Sequence, residues 1–241
     1  MSKSPIFFRR NSDSSRSIEL TREECSHLKS LRLFSVQKVV EIRDGRGNSS
    51  FYDIPGNRET GQLQRTEKNI CEPGFSAASA LPKSQKLDLI LQKLTELGAD
   101  HIHLIVFAQS DRKEFNEKRA EKIILSAAEQ SERHRLPEIH FHKSLEEFIR
   151  LCPGSFYLHP YADRNISDGL PGSVPVIGPE GGFRDSEIEL MRKNGMKGCR
   201  FGSSILRIET AVIAASVIIK YLNLRDGNES TREKTHNIQP K

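Results

Sequence analysis

An alternation of strand and helix patterns between residues 76 and 224 constrains the fold more than any other feature of this sequence. Apolar residues at helical spacing predict a helix that ends at Gly98, and the apolar stretch 102–107 predicts a strand directly after it. Further strand patterns at 139–142, 156–158, 174–177 and 199–201 alternate with helical patterns at 114–130, 144–149, 185–195 and 209–222. Ser144 followed by Glu147 predicts a capping box at the start of the second of these helices, and Asp185 is the predicted N-cap of the third. Because parallel strands need such crossover connections, the sequence predicts an α/β fold with a mostly parallel sheet covered by helices.

The first 75 residues show a different pattern, which consists of short strands and turns. Strands are predicted at 6–8, 36–42 and 51–54. The sequence Asp-Gly-Arg-Gly at 44–47 is typical of a hairpin turn, since glycine tolerates positive φ. Thr21 followed three residues later by Glu24 predicts a capped helix start. We therefore expect a small, mostly β module before the α/β region.

Composition and cysteine usage restrict the class of protein. Hydrophobic residues make up 36% and charged residues 29% of the 241 residues, which is typical of a globular protein. The sequence contains no uninterrupted apolar run of roughly 18 residues and no apolar segment near Met1, so neither a membrane partner nor a secretory signal is expected. The four cysteines are far apart and form no CxxC pair, which predicts a reducing, cytoplasmic compartment.

Positive charge is concentrated near the N-terminus. The chain carries a net charge of +5, and residues 1–38 contain eight Lys or Arg against four acidic residues. A basic segment of this kind suits a polyanionic partner such as nucleic acid, because phosphate contacts release condensed counterions. Alternatively, these charges form a solvated surface that keeps the protein soluble.

Three loops that follow predicted strands carry unusual residues. The first begins at His159-Pro160, the second spans 178–183 with the sequence Gly-Pro-Glu-Gly-Gly-Phe, and the third spans 202–211. Ligands of open α/β sheets bind beyond the carboxyl ends of the strands, so these loops are candidates for a binding site.

The second and third loops each allow two interpretations. The glycines of 178–183 permit close approach of a ligand to the backbone, but they match neither a P-loop nor a dinucleotide fingerprint, and Glu180 would repel a phosphate. A tight turn is the alternative. In the third loop, Arg207 and Glu209 precede an apolar helix. The helix dipole alone favours Glu209 there, with Arg207 as its ion-pair partner.

The stretches Ile177–Phe183 and Gly202 with Ile205–Ala211 resemble the paired signature of the RsmE family. These proteins are SPOUT-type RNA methyltransferases that modify N3 of a uridine in 16S ribosomal RNA. Elements at 27–32, 81–98 and 129–137 resemble other parts of the family pattern, so the resemblance extends along most of the chain. The sequence departs from the pattern at Ser84, where the family usually has glycine.

The resemblance implies a fold and an organisation. Residues 1–72 would form a small PUA-like β-barrel that binds RNA. Residues 73–224 would form the SPOUT methyltransferase domain, an α/β domain with a parallel sheet and a deep trefoil knot. The polar residues 225–241 are expected to be a disordered tail. The implied partners are 16S rRNA or the small ribosomal subunit and a second copy of the chain, which would complete the RNA site in a homodimer.

The resemblance also implies S-adenosyl-L-methionine as the cofactor. The residues expected to bind it are Leu158, His159, Ile177, Gly178, Pro179, Glu180, Gly181, Gly182, Phe201, Gly202, Ile205, Leu206, Arg207 and Thr210. We expect Arg207 to orient or stabilise the uracil and Glu209 to fix Arg207, and we regard Glu180 as the weaker candidate for a base. The candidate RNA contacts are Arg9, Arg10, Arg32, Lys83 and Lys86, which alternatively are exposed surface cations.

Two histidine pairs, His101 with His103 and His140 with His142, each place two imidazoles on one strand face. No third ligand with suitable spacing is evident, so no metal site is expected. Three other functions remain as alternatives: a SPOUT enzyme for a different RNA, a non-catalytic RNA-binding protein, and a Rossmann oxidoreductase. The missing dinucleotide fingerprint disfavours the last of these.

Overall fold

The computed structural model describes residues 4–10, 14–110, 112–166 and 172–236, with side chains as far as residue 225. The chain divides into two compact units. The first comprises Met1–Glu72 with Ala128–Leu136, and the second comprises Pro73–Ala127 with Pro137–Lys241. The segment Ala128–Leu136 thus belongs to the first unit, although the sequence pattern predicts its first residues as the end of a helix in the α/β region.

The first unit is built on a five-stranded mixed sheet with the order β1-β3-β4-β5-β2. Its elements are β1 Ile6–Phe8, β2 Ser17–Glu19, α1 Arg22–Ser30, β3 Lys38–Arg43, β4 Asn48–Ile54 and β5 Thr60–Lys68. The pair β1–β3 is parallel and the other pairs are antiparallel. The sequence pattern missed β2 and β5. Both lie mainly on the surface, and β5 is largely polar, so neither shows the alternation of a half-buried strand.

Two predicted local signals form as expected in this unit. At the start of α1, Thr21 Oγ1 accepts a hydrogen bond from Glu24 N (3.2 Å), and Glu24 Oε2 accepts one from Thr21 N (2.7 Å). In the turn between β3 and β4, the Asp44 carboxylate accepts hydrogen bonds from the backbone of Arg46 (2.7 Å) and Asn48 (3.0 Å). The capping box and the hairpin turn are therefore confirmed.

A buried ion pair joins two residues of β3. The guanidinium of Arg43 donates to both carboxylate oxygens of Glu41 (2.7 and 3.1 Å), and the hydroxyl of Ser49 donates to the same carboxylate (2.7 Å). Glu41 is 7% and Arg43 4% exposed. Burial by itself raises the pKa of Glu41, but the hydrogen bonds from Arg43 and Ser49 outweigh it and leave the pKa below its ordinary value.

Replacing Glu41 by alanine is expected to lower the free energy of unfolding by about 3–5 kcal/mol, because Arg43 would remain buried without its counterion. Denaturant unfolding monitored by circular dichroism measures this change. The carboxylate has a lowered pKa in the folded state, so it stabilises the protein above its unfolded pKa. That contribution is lost as pH falls through the folded pKa. The variant should therefore lose less stability on acidification than the parent.

The matched control is Glu67→Ala. Glu67 pairs with Arg65 at the same two-residue spacing along a strand, but both side chains are about half exposed. An exposed pair contributes at most about 1 kcal/mol. Equal losses of stability in the two variants would show that the buried pair has no special weight.

The second unit contains a seven-stranded sheet with the order β10-β12-β9-β11-β6-β7-β8, in which every strand pair is parallel. Its strands are β6 Phe75–Ala80, β7 Ala99–Ile105, β8 Glu138–His142, β9 Phe156–Leu158, β10 Arg164–Asn165, β11 Pro175–Ile177 and β12 Lys197–Arg200. The helices that connect or cover these strands are α2 Ser84–Leu97, α3 Glu117–Gln130, α4 Leu145–Leu151, α5 Asp185–Lys193 and α6 Ile208–His236. The predicted α/β fold with a parallel sheet is confirmed.

One inner strand of this sheet, β6, was not visible in the sequence pattern. The strand β6 has the sequence Phe-Ser-Ala-Ala-Ser-Ala, which lacks the β-branched residues typical of strands, yet it lies between β11 and β7. Pro175 is the first residue of β11, a position where its missing N–H is tolerated. Helix α6 packs against β6, β11 and α2 and buries Val212, Ala215 and Ile219 completely.

Two predicted helix starts need correction. The N-cap of α5 is Arg184 and not Asp185; Glu187 Oε2 accepts a hydrogen bond from Arg184 N (2.8 Å), which moves the cap back by one residue. At α4, Ser144 Oγ accepts from Glu147 N as expected (3.3 Å). The Glu147 carboxylate, however, accepts from Lys143 N and not from Ser144, so only half of the predicted capping box forms.

The C-terminal helix is longer than the apolar pattern indicates. Sequence periodicity predicts its end at Leu222, whereas α6 continues to His236. Helical backbone thus extends into the segment 225–241; residues 237–241 lie outside the described residues, and disorder of the segment stays a prediction. Among the described helices, none combines the length and the apolar character that crossing a membrane requires.

Candidate active site

The strand order of the second unit reverses between β6 and β11. From β6 the chain proceeds through β7 to β8 on one side, whereas β11, β9 and β12 lie on the other. A crevice at the carboxyl ends of the strands forms at such a reversal. The loops after β9, β11 and β12 line a cavity of about 940 Å³ in this region.

The cavity brings together the two stretches that carry the sequence signature. Gly181 and Leu206 both line it, although 24 positions separate them in the sequence. The residues predicted from the sequence that line it are Leu158, His159, Ile177, Gly178, Pro179, Glu180, Gly181, Gly182, Phe201, Ile205, Leu206 and Arg207. Gly202, Thr210 and Glu209 do not line it. The three loops predicted to meet therefore do meet.

Several lining residues were not among those expected to bind the cofactor, although all but Tyr161 lie in the loop stretches that the sequence marked as candidates. They are Pro160, Tyr161, Phe183, Ser204, Ile208 and Ala211, and Lys86 was expected to contact RNA instead. Phe183 is the last residue of the glycine motif, and Pro160 and Tyr161 follow His159 directly. Adjacency to the predicted residues was thus the available signal. Lys86 lies in helix α2, outside the three loops that the sequence marked, so no sequence pattern indicated that it would line the cavity.

The glycine loop wraps an aromatic ring. A Cβ atom on Gly178 would lie 2.9 Å from the ring of Phe183. That ring packs edge-on against Phe107 (centroid distance 5.3 Å) and Tyr157 (5.9 Å), so it has little room to move. Gly182 has φ +78° and donates a hydrogen bond to Pro179 O (2.9 Å). The loop is therefore a tight turn and a wall of the cavity at once.

Gln109, in the loop after β7, supports the same turn. Its amide nitrogen donates to the carbonyl oxygens of Gly181 (2.6 Å) and Gly182 (3.2 Å) when the carboxamide is oriented to satisfy both groups. Gln109 also lines a smaller cavity of about 140 Å³, together with Lys83 and Glu180. A sequence pattern could not connect Gln109 to the glycine loop, because the contact depends on the order of strands in the sheet.

Lys86 links two carboxylates beside the cavity. Its ammonium group donates a hydrogen bond to Glu180 and lies 3.8 Å from Glu209 Oε2. The hydrogen bond raises the pKa of Lys86 and lowers the pKa of Glu180. Glu209 Oε2 is buried and accepts no hydrogen bond from any described residue. Glu180 is therefore a poor proton acceptor, and the buried Oε2 of Glu209 has the Lys86 ammonium as its ion-pair partner.

Arg207 is exposed at the cavity, but it does not pair with Glu209. No ion pair joins the two among the described side chains, and the prediction that Glu209 fixes Arg207 is wrong in this respect. Arg207 precedes the first residue of α6 and Glu209 lies in its first turn. Side chains two positions apart on a helix do not face each other, which leaves Glu209 near Lys86 instead.

The remaining candidates for RNA contact differ in their exposure. The guanidinium of Arg9 donates to the Glu24 carboxylate (Nε–Oε1 2.9 Å) and to Glu19 O (2.8 Å), so it stabilises the first unit. Arg10, Arg32 and Lys83 are exposed. Arg32 also has φ +58°, a conformation that residues other than glycine rarely adopt.

The expectation that no third ligand accompanies the histidine pairs is wrong. The carboxylate of Glu138 lies 3.8 Å from both His101 Nδ1 and His140 Nε2. Glu138 precedes His140 by two residues, so strand alternation places both on one face of β8.

Comparison with known proteins relates this fold and cavity to a class. A family model described as an RNA methyltransferase domain matches residues 72–220. A structure from Legionella pneumophila, described as a methyltransferase in complex with the bound cofactor SAM, is 26% identical with a TM-score of 0.77 and covers 90% of this chain and 97% of that chain. An rRNA methyltransferase structure from Porphyromonas gingivalis is 25% identical with a TM-score of 0.80 and covers 91% and 98%. The chain is thus an α/β protein of the RNA methyltransferase class.

Curated relatives define the family more narrowly. Ribosomal RNA small subunit methyltransferase E of Mesomycoplasma hyopneumoniae is 34% identical over 209 residues, which cover 80% of this chain and 89% of that protein. Ribosomal RNA small subunit methyltransferase E 2 of Borreliella burgdorferi is 32% identical over 181 residues, with coverages of 70% and 73%. The chain belongs to the ribosomal RNA small subunit methyltransferase E family, which is the RsmE family that the sequence motifs indicated.

Proposed function

We propose that this protein transfers the methyl group of S-adenosylmethionine to N3 of a uridine in 16S rRNA. The observation that carries the proposal is the shared cavity, in which the glycine loop after β11 and the loop before α6 meet. The names of the relatives support the small-subunit RNA as substrate, and the resemblance to the RsmE family implies the uridine and its N3 atom. The Legionella structure with bound SAM supports the choice of cofactor.

The cavity suits the proposed cofactor. A volume of about 940 Å³ lies within the range of roughly 300–1,000 Å³ that small-molecule sites occupy. Ile177 and Leu206 offer apolar contacts for an adenine, and the glycines between 178 and 182 leave backbone groups accessible to a ligand. Gly202 and Thr210, which do not line the cavity, remain the least supported members of the predicted set. When bound, S-adenosylmethionine supplies an electrophilic methyl group on a sulfonium.

Three side chains of this chain have distinct roles in the proposed reaction. Loss of the imide proton makes uracil anionic, and the exposed guanidinium of Arg207 at the cavity stabilises that charge. Glu209 does not line the cavity, and its Oε2 lies 3.8 Å from the Lys86 ammonium, so it acts through Lys86 rather than on the substrate. Lys86 holds Glu180 and Glu209 on either side of its ammonium group, which makes it a positioning residue.

The organisation around the reaction is part of the proposal. The first unit, with its mixed sheet, would be a PUA-like barrel of about residues 1–72 that binds RNA, and residues 73–224 would be the knotted methyltransferase domain. A homodimer, which the resemblance to the family implies, belongs to the same proposal. The cytoplasm is the compartment where ribosomal RNA would be met.

The test is a methylation assay with isotope-labelled S-adenosylmethionine on naked 16S rRNA and on small subunits, followed by mass spectrometry of nuclease fragments. The expected product is 3-methyluridine at a single position. Methylation of another RNA alone would identify a different substrate within the same class. Binding of RNA without affinity for S-adenosylmethionine would refute the enzyme proposal and favour a non-catalytic RNA-binding protein.

Replacing Arg32 by glycine is expected to stabilise the fold while weakening RNA binding. Arg32 follows α1 in a left-handed conformation, with its N–H donating to Lys29 O (3.0 Å) and the N–H of Leu33 donating to Leu28 O (2.9 Å). Glycine is the usual residue there, so the free energy of unfolding should rise by about 1 kcal/mol. Loss of one phosphate contact should reduce the slope of log affinity against log salt by about 1.

Filter binding of 16S rRNA at several salt concentrations measures the second effect. Arg32→Lys is the control, since it keeps the charge and should keep the salt slope. An unchanged slope in the glycine variant would assign Arg32 to the solvated surface.

A further inference from the structure

Five ligand-type side chains lie on one face of the two strands at one end of the parallel sheet. His101 and His103 come from β7, and Glu138, His140 and His142 come from β8. In the parallel register His101 is opposite Glu138, and His103 is opposite His140. The strands β7 and β8 lie beyond β6 from the cavity loops, and none of the five residues lines the cavity. The proposed methyl transfer therefore leaves this cluster without a role.

The outer three side chains have the spacing of a metal site. The distances are 3.0 Å between His101 Nδ1 and His140 Nε2, and 3.8 Å from each of these atoms to Glu138 Oε2. The point equidistant from these three atoms lies about 2.1 Å from each, which matches the zinc–nitrogen and zinc–oxygen distances of about 2.0–2.2 Å. Tetrahedral zinc ligands are roughly 3.3 Å apart at such bond lengths, so small side-chain adjustments suffice.

A second layer of histidines holds the outer ones in place. The ring of His103 stacks on that of His140 at 4.8 Å with an interplanar angle of 20°, and His103 Nδ1 is 3.0 Å from His142 Nε2. Both inner histidines are buried, and Phe148 of α4 packs edge-on against each of them. Neighbouring side chains that fix the orientation of the ligands are a regular feature of metal sites.

The outer groups are accessible to an ion from solution. The exposed fractions of their side chains are 46% for His101, 37% for His140 and 65% for Glu138. Two imidazoles and one carboxylate are also the donor set of zinc sites that keep a fourth position open for water. Calcium and magnesium prefer oxygen ligands, which disfavours them here.

We propose that His101, His140 and Glu138 bind a divalent transition-metal ion, with Zn²⁺ as the ion that fits the donors and distances. The site is independent of the methyl-donor cavity, and it adds a metal to a chain whose proposed reaction needs none. Its place on the last two strands of the sheet makes it a cross-link between β7 and β8.

Calorimetric titration of the full chain with Zn²⁺ near neutral pH tests the site, since both imidazoles must be unprotonated to bind. The parent is expected to bind a single ion per chain. The double variant His101→Gln/His140→Gln should bind Zn²⁺ much more weakly. The loss in affinity should exceed the roughly 10–100-fold that removal of a residue supporting a ligand costs. His27→Gln, which removes an exposed histidine from the first unit, should leave the titration unchanged.

Two further measurements keep the test independent of folding and of activity. Co²⁺ bound by the parent should give visible absorption of a four-coordinate site, and Glu138→Gln should change or remove it. The metal-free variants should unfold at the temperature of the metal-free parent, because the replaced groups are substantially exposed. Equal Zn²⁺ affinity and stoichiometry in the parent and the double variant would overturn the proposal. The proposal would also fail if His27→Gln weakened Zn²⁺ binding as much as the double variant does.

Discussion

Replacing Arg207 by alanine is expected to lower kcat for rRNA methylation by roughly 10²–10³-fold, the usual cost of removing a group that stabilises charge developing in the transition state. Arg207 is exposed at the cavity and, among the described residues, has no ion pair with Glu209. Its guanidinium is therefore available to a substrate. Because no buried contact is lost, the free energy of unfolding should stay within about 0.5 kcal/mol of the parent value.

Single-turnover methylation with saturating S-adenosylmethionine measures the effect on chemistry, and calorimetry measures cofactor affinity in the same variant. Arg207→Lys should recover part of kcat, since it keeps the charge but not the planar fork. Arg150→Ala removes an exposed arginine from α4 and serves as the matched control. Near-normal kcat in Arg207→Ala would remove Arg207 from the reaction.

Replacing Gly178 by valine is expected to weaken S-adenosylmethionine binding by about 10–100-fold, which corresponds to an overpacking cost of about 1–3 kcal/mol. A Cβ atom at this position would lie 2.9 Å from the ring of Phe183. Phe107 and Tyr157 pack against that ring, so the loop has to move instead, and the loop is a wall of the cavity. Calorimetric titration with S-adenosylmethionine measures the loss.

Gly154→Val is the matched control for this substitution. A Cβ atom on Gly154 would meet no atom within 4 Å, and Gly154 does not line the cavity. Its affinity for S-adenosylmethionine should equal that of the parent. If Gly178→Val binds the cofactor as tightly as Gly154→Val does, the loop after β11 does not form the cofactor site.

Periodicity was sufficient for the parallel sheet, because buried strands such as β7 and β9 are apolar and the helices between them have a clear repeat. It failed for β6 and β5, which consist mainly of small or polar residues. Their strand conformation is set by neighbours in the sheet rather than by their own composition. Sequence patterns carry no information on those neighbours.

The candidate site also combines residues that the sequence could predict with residues that it could not. Most cavity-lining residues inside the two motifs could be predicted, because glycine and arginine at these spacings are unusual and because the resemblance to a family marks them. Gln109 and Lys86 could not be predicted as neighbours of the glycine loop, since they arrive from other strands and helices. Glu138 was within reach of the sequence, because its two-residue spacing from His140 on a strand places both side chains on one face.

Hydrogen–deuterium exchange of the full chain with and without S-adenosylmethionine tests most directly whether two distant stretches form one cofactor site. The predicted result is slower exchange on cofactor binding in both the 178–183 loop and the loop between β12 and α6 (residues 201–207), with little change in β1 to β5. Slower exchange in only one of the two loops, or in neither, would contradict a shared pocket.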